Sequence, residues 1–275
     1  FTSFLITSCQ QIPVNESNRN FVDDNIDKQN LEIDFKNQEK IISYHADIWS
    51  YILINSTYTS DSLDEQTLLY MNRHLQDLDK FKEFLNDSYY FMFFVIEELE
   101  NAKLPIELAF LPYIESNYDP FSISSSGAVG MWQFMPRTGR TYELERSWWN
   151  EDRHDPFKST TAAIKYLKYL YERFDQDLYL TLAAYNAGPS FLDRQITRNQ
   201  RRGLNTDYWS LDLPIQTRNY VPKFIAIKEL IINSDQYDIE LPFIPYEPVV
   251  AKIEIPGQVE ILSLIHISEP TRLEL

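Results

Sequence analysis

The sequence predicts a mainly helical fold built round one core, and three observations carry that reading. Apolar residues recur at helical spacing in several segments: Leu108, Leu111 and Ile114, then Ala163, Leu167, Leu170 and Phe174, then Leu178, Leu182 and Tyr185. Helix punctuation brackets them, with Asp155-Pro156 and Ser159-Thr160 as starts and Asn117, Asp119-Pro120 and Gly188 as stops. A chain of 275 residues with 44% hydrophobic residues is also long enough to bury one good core.

Taken from the start, residues 1–9 do not read as a folded element. They look like the tail of a secretory segment ending in a lipobox, Ile6-Thr7-Ser8-Cys9, whose cysteine would be lipidated; the other reading is a stray cysteine in a terminus. Cys9 is the single cysteine, so an intrachain disulfide is excluded. Residues 10–34 are polar, rich in Asn and Asp and without periodicity, and read as a flexible tether. Residues 35–88 read as a helical region in two pieces packed on the main domain. Phe35 to Asn55 carries Ile41, Ile42, Ile48, Tyr51 and Ile52; Leu63 to Leu85 carries Leu68, Leu69, Leu75, Leu78 and Phe81. The main domain is expected over 89–235. It opens with an apolar run, Tyr90 to Ile96, that is too short for the ~20 residues of a membrane span and reads as a buried helix.

The stretch Leu104–Pro136 holds the candidate chemistry. Pro105 suits a first helical turn. Glu115 follows Leu111 by four residues, which puts it on the apolar face at the end of the expected helix. Burial and the negative end of the helix dipole both disfavour its ionised form, as a general acid requires. The plainer reading is a glutamate reaching solvent from a helix end. Beyond it, Gly127, Gly130 and Gly139 concentrate half of the chain's six glycines. That points to positive φ or to close approach of a ligand. Gln133 offers an amide suited to a sugar hydroxyl or acetamido group, while Trp132, Phe134 and Met135 can equally be core.

Thr138 to Arg153 reads as a loop, with Trp148 and Trp149 either stacking on sugar faces or packing on the body. Gly188 fits a helix end that needs a left-handed residue. Arg194, Arg198, Arg201 and Arg202 make a solvated basic face or a contact for carboxylates. Residues 236–261 read as an extended tail crossing the surface. Residues 262–275 look like a translated sequencing adapter and are set aside. A net charge of −16 without a basic patch argues against nucleic acid as partner. The histidines show no metal-ligand spacing, and no metal or cofactor is implied.

These residues carry a resemblance. Glu115-Ser116 followed by Gly130-Met131-Trp132-Gln133-Phe134-Met135-Pro136 resembles the first two motifs of the lytic transglycosylase domain of the soluble-transglycosylase type. Ala184-Tyr185-Asn186-Ala187-Gly188 resembles the third motif, and Tyr220 in Thr217-Arg218-Asn219-Tyr220-Val221-Pro222 the fourth. The flanks, Trp148-Trp149, Arg153-His154-Asp155-Pro156 and Tyr208-Trp209, look most like the membrane-bound D branch. The resemblance implies a lysozyme-like α+β fold with a small β element near Gly127 to Phe134. It implies cleavage of peptidoglycan glycan strands, with Glu115 as acid and then base. Ser116 would orient Glu115, and Gly130, Met131, Gln133, Met135, Tyr185, Asn186 and Tyr220 would hold the sugar. It further implies a monomer, anchored through Cys9 to the outer membrane and facing the periplasm. Two alternatives stay open: a lysozyme-type hydrolase, with Asp119, Asp152 or Asp155 as second carboxylate, and a catalytically silent wall-binding lipoprotein.

Overall fold

The computed structural model describes residues 47–56 and 63–250. The lipobox, the tether, Ile41 and Ile42, and the chain after residue 250 lie outside the described residues.

The described chain is mainly helical. Helices α1 (Ile48–Asn55), α2 (Glu65–Leu75), α3 (Leu78–Asn86) and α4 (Met92–Ala102) lead to a 3-10 turn, Ile106–Phe110, and a short α5 (Leu111–Glu115). Then come α6 (Pro136–Thr141), α7 (Pro156–Arg173), α8 (Leu178–Ala187), α9 (Pro189–Arg201), α10 (Ile215–Arg218) and α11 (Tyr220–Ile232). The core gathers round α11, which buries Tyr220, Val221, Phe224, Ile225, Ile227, Leu230 and Ile231. A helix apolar on most of its circumference belongs inside a bundle. Here α11 packs against α2, α8, α5 and the 3-10 turn, while α4 packs on α7.

Local chemistry sets the ends. Asp155 caps α7 by accepting from the N–H groups of Phe157 and Lys158, and Pro156 takes the first helical position. Asp177 caps α8 in the same way through Leu180 N–H. Gly188, at φ +86° and ψ 138°, ends α8 and also precedes α9, with Pro189 opening the new helix. Its φ is positive, but its ψ lies outside the left-handed helical region expected there.

Three expectations change. The segment 63–85 is not one helix: Asp77 accepts from Lys80 N–H and starts α3 afresh. Thr67, Met71, Phe81 and Leu85 form the buried faces, while Leu68, Leu69 and Leu78 are exposed. The helix expected from Pro105 to Glu115 is interrupted, because Pro112 has no N–H for the Leu108 carbonyl. The chain therefore tightens into a 3-10 turn before α5. The small β element is a set of isolated bridges, Ile123 with Val129 and Val129 with Phe134. Residues 241–246 run extended past α1: Trp49 Nε1 donates to Pro242 O (2.6 Å) and Ile48 N–H to Ile244 O (2.8 Å).

Candidate active site

Glu115 is the last residue of α5, and the turn directly after it fixes its direction. Asn117 and Tyr118 both take positive φ, 60° each, an uncommon state for residues with a Cβ. The conformation persists because Tyr118 is buried and donates its hydroxyl to Ala109 O at 2.6 Å. The chain thus doubles back at once and leaves the glutamate at the edge of the core.

Glu115 keeps part of its surface open, yet the protein packed round its carboxyl desolvates it. Burial raises its pKa from 4.5 to about 7, opposed by a hydrogen bond from Tyr220 and the positive charge of Lys223. The Tyr220 hydroxyl, at the start of α11, donates to Glu115 Oε1. Tyr220 and Tyr185 are held well above the ordinary tyrosine range, first by burial and then by the nearby Glu115 charge.

The glycine-containing loop is fastened to the end of α5, next to Glu115 in the chain. It is closed by Val129 N–H to Phe134 O (3.1 Å), Phe134 N–H to Val129 O (3.0 Å) and Gly130 N–H to Ser122 O (2.9 Å). Tyr185 donates its hydroxyl to Trp132 O at 2.8 Å, which ties α8 to the loop. Gln133 takes φ +49° and spends its amide nitrogen on Gly130 O (2.8 Å) and Ser122 O (3.3 Å), so its amide oxygen is what it offers outward. Asn186, near the end of α8, accepts from the buried Thr217 hydroxyl at 2.9 Å, which leaves its amide nitrogen for a ligand.

Several site expectations are corrected. Ser116 does not bond to Glu115; its hydroxyl donates to Met131 O (2.8 Å) and fastens the loop to α5. The Met131 side chain is fully buried and can touch no ligand, because it faces the core. Gly130 is not kept clear for a ligand: a Cβ there would lie 1.8 Å from Arg153 O, so the close approach is backbone to backbone. Met135 is 44% exposed, not core, whereas Trp132 and Phe134 are core. Trp148 and Trp149 do not pack on the body; they are 89% and 91% exposed.

The sequence reading missed Arg153 as a structural group. It is buried, and its Nη1 donates to Gly127 O (3.1 Å) and Phe134 O (2.8 Å), while Nε and Nη2 form a fork on Glu151 (2.7 and 2.8 Å). Only its place in a motif flank pointed to it. The candidate second carboxylates are occupied elsewhere. Asp119 accepts from Phe121 N–H in a turn, Asp155 caps α7, and Asp152 accepts from Glu145 N–H, Asn150 and Lys158.

A helical body that desolvates one carboxyl between a tyrosine and a glycine loop places this chain among known domains. Residues 92–207 match the family described as the transglycosylase SLT domain. It is similar to membrane-bound lytic murein transglycosylase D of Escherichia coli K12, 34% identical over 226 residues, covering 80% of this chain and 48% of that protein. A protein of Alteromonas sp. strain M-1, named for tributyltin chloride resistance, is 36% identical over 107 residues, 39% of this chain and 52% of its own. The chain thus spans about half the length of the curated relatives it matches. Among solved structures, an inactive mutant of lytic transglycosylase Slt from Pseudomonas aeruginosa aligns at 22% identity and TM-score 0.42, over 55% of this chain and 25% of that one.

Proposed function

We propose that this protein is a peptidoglycan lytic transglycosylase with a lysozyme-like catalytic domain over 89–235. It would cleave the β-1,4 bond between N-acetylmuramic acid and N-acetylglucosamine. One observation carries the reading: Glu115 is a desolvated carboxyl whose pKa of about 7 lets it hold or release a proton near neutrality, with Tyr220 donating to it.

The chemistry follows from that carboxyl. Protonated Glu115 gives its proton to the glycosidic oxygen as the bond to the anomeric carbon breaks. Tyr220 and Lys223 then stabilise the carboxylate left behind, since each favours its charged form. The carboxylate takes the proton of the muramoyl C6 hydroxyl, whose oxygen attacks the anomeric carbon and closes a 1,6-anhydro ring. Proton and bond counts balance within the sugar, and no water is consumed. A hydrolase of the usual design needs a second carboxylate, and Asp119, Asp152 and Asp155 all serve turns, caps and ion pairs. Gln133 Oε1, the Asn186 amide nitrogen and the exposed edge at Met135 are the groups offered to the sugar. Ser116, Gly130, Met131 and Tyr185 act by shaping the loop.

In this reading Cys9 carries a lipid anchor, residues 10–34 are the tether, and 236–261 form an extended tail. The protein works as a monomer from the outer membrane into the periplasm. Among the described residues no helix is long and apolar enough to cross a membrane.

The test is mass spectrometry of fragments released from purified peptidoglycan. Anhydromuramoyl ends, lighter by one water than reducing ends, are expected, and they should vanish with Glu115→Gln. Reducing ends would replace this reading with hydrolysis; clearance undiminished in the variant would sink the role of Glu115.

A further inference from the structure

Two of the chain's five tryptophans behave unlike two others. Trp49 and Trp132 are buried, with their indole N–H groups donated to Pro242 O and Thr160 Oγ1. Trp148 and Trp149 stand almost wholly in solvent. An indole brings ~150–250 Å² of largely apolar surface, and two left exposed at consecutive positions call for an occupant.

The hairpin that carries them is not loose. Arg146 and Glu151 bridge, and Ser147 N–H donates to Asn150 O at 2.7 Å, so the two tryptophans are the central residues of a tight turn. Ser147 Oγ accepts from the N–H groups of Trp149 (3.2 Å) and Asn150 (3.0 Å). At the base of the hairpin, Asp152 accepts from Glu145 N–H (3.0 Å), Asn150 Nδ2 (2.6 Å) and Lys158 Nζ (2.7 Å). Glu151 joins Arg146 to Arg153, and Arg153 holds the loop beside Glu115 through Gly127 O and Phe134 O. The hairpin that carries the indoles is therefore tied to the loop of the candidate active site.

Between hairpin and active-site loop lies a cavity of about 460 Å³, lined by Pro136, Arg140, Glu143, Arg146, Ser147 and Arg153 among others. Its lining includes Pro136, the residue after the exposed Met135, and Ser147, the residue before the two tryptophans. Its size suits a small ligand, and its lining mixes charged and hydroxyl groups with apolar surface from Pro136 and Leu144.

We infer that this cavity and the Trp148–Trp149 platform form a distal saccharide subsite, binding the same glycan strand several sugars away from Glu115. The inference rests on the proposed action on glycan strands. Pyranose rings fit both halves: their C–H faces match an indole, and their hydroxyl and acetamido groups match Arg140, Arg146, Glu143 and Ser147. An anionic bilayer fits poorly. Glu143, Glu145 and Glu151 stand among Arg140, Arg146 and Arg153, so the hairpin presents mixed charge and not the basic cluster that an anionic surface attracts.

The experiment is calorimetric titration of the Glu115→Gln protein with soluble, uncross-linked peptidoglycan strands. The same titration is run with Trp148→Ala/Trp149→Ala and with Trp148→Phe/Trp149→Phe added. Neither side chain contributes to the core, so all three should keep one melting temperature. The alanine pair is expected to weaken Kd ~10-fold or more, and the phenylalanine pair to restore most of it. Affinity within about twofold of the parent in the alanine pair overturns the subsite. So does a loss confined to phosphatidylglycerol vesicles with strand binding intact, which would make the hairpin a membrane contact. If strand binding depends on the tryptophans while the unmutated protein releases no anhydro ends, the subsite stands and the proposed reaction falls.

Discussion

Glu115 and Asp152 are both carboxylates drawn out of water, and their proton affinities move in opposite directions. At Glu115 desolvation is the largest influence and prevails, lifting the pKa to about 7 against one tyrosine hydroxyl and a nearby lysine. At Asp152 desolvation is again the largest single influence, but hydrogen bonds from Lys158, Asn150 and Glu145 N–H together outweigh it and hold the group below the ordinary range. The difference is the number of donors. A carboxylate given three is a fastener, and one given a single hydroxyl is left able to trade its proton. The two regions divide accordingly: the loop round Asp152 is stiffened, and the end of α5 is poised.

The contrast can be broken most severely at Glu115. Glu115→Gln should lower turnover by ~10²–10⁴, and it should also stabilise the fold at high pH. The sign comes from the raised folded pKa. Glu115 costs nothing below its unfolded value of 4.5, and its penalty grows until pH passes about 7. Urea unfolding at pH 8 should therefore find the variant more stable by on the order of 2–3 kcal/mol, with the gap closing below pH 4.5. A gap that does not depend on pH would refute the desolvated carboxyl.

Asp152→Ala should do the reverse, costing about 2–3 kcal/mol near neutral pH by stranding three donors. The contribution of Asp152 exists above its ordinary value of 3.8 and disappears as pH falls through its lower folded pKa. Wild type and variant should thus converge in strong acid, which thermal melts across pH will reveal. Next in size is Tyr220→Phe. Losing the hydroxyl removes a bond that favours the ionised form, so the Glu115 pKa should climb above 7 and the alkaline limb of the rate profile should move with it. A fall in kcat of ~10-fold is expected, because the carboxylate formed in the reaction loses its donor. Smallest is Ser116→Ala, which forfeits one bond to Met131 O and should cost about 1 kcal/mol of stability with kcat changed only a few-fold.

Periodicity made α7 and α8 legible, since long one-faced helices write their core residues at regular intervals. It failed at Pro112, where a missing N–H overruled a good apolar pattern, and at Asp77, whose capping side chain restarted a helix. The site was legible as a set of residue types, not as a set of contacts. The resemblance implies that Ser116 orients Glu115, whereas its partner is Met131, fifteen residues on. Arg153 reaches Phe134 across 19 residues and Gly127 across 26, and Thr217 meets Asn186 across 31. Pairings at such separations leave no trace in local spacing. Gly130 is instructive in the same way: its rarity was visible, but the backbone that crowds it was not.

The contact between Tyr220 and Glu115 spans 105 residues and sets a condition on when the acid comes into being. Helix α11 packs on α2, α8 and α5 and supplies the carboxyl's hydroxyl partner. A chain that has emerged only as far as α9 lacks that partner. Closures over such distances come late in folding. The proton affinity of Glu115 is therefore set in part by a contact that exists only once α11 has docked.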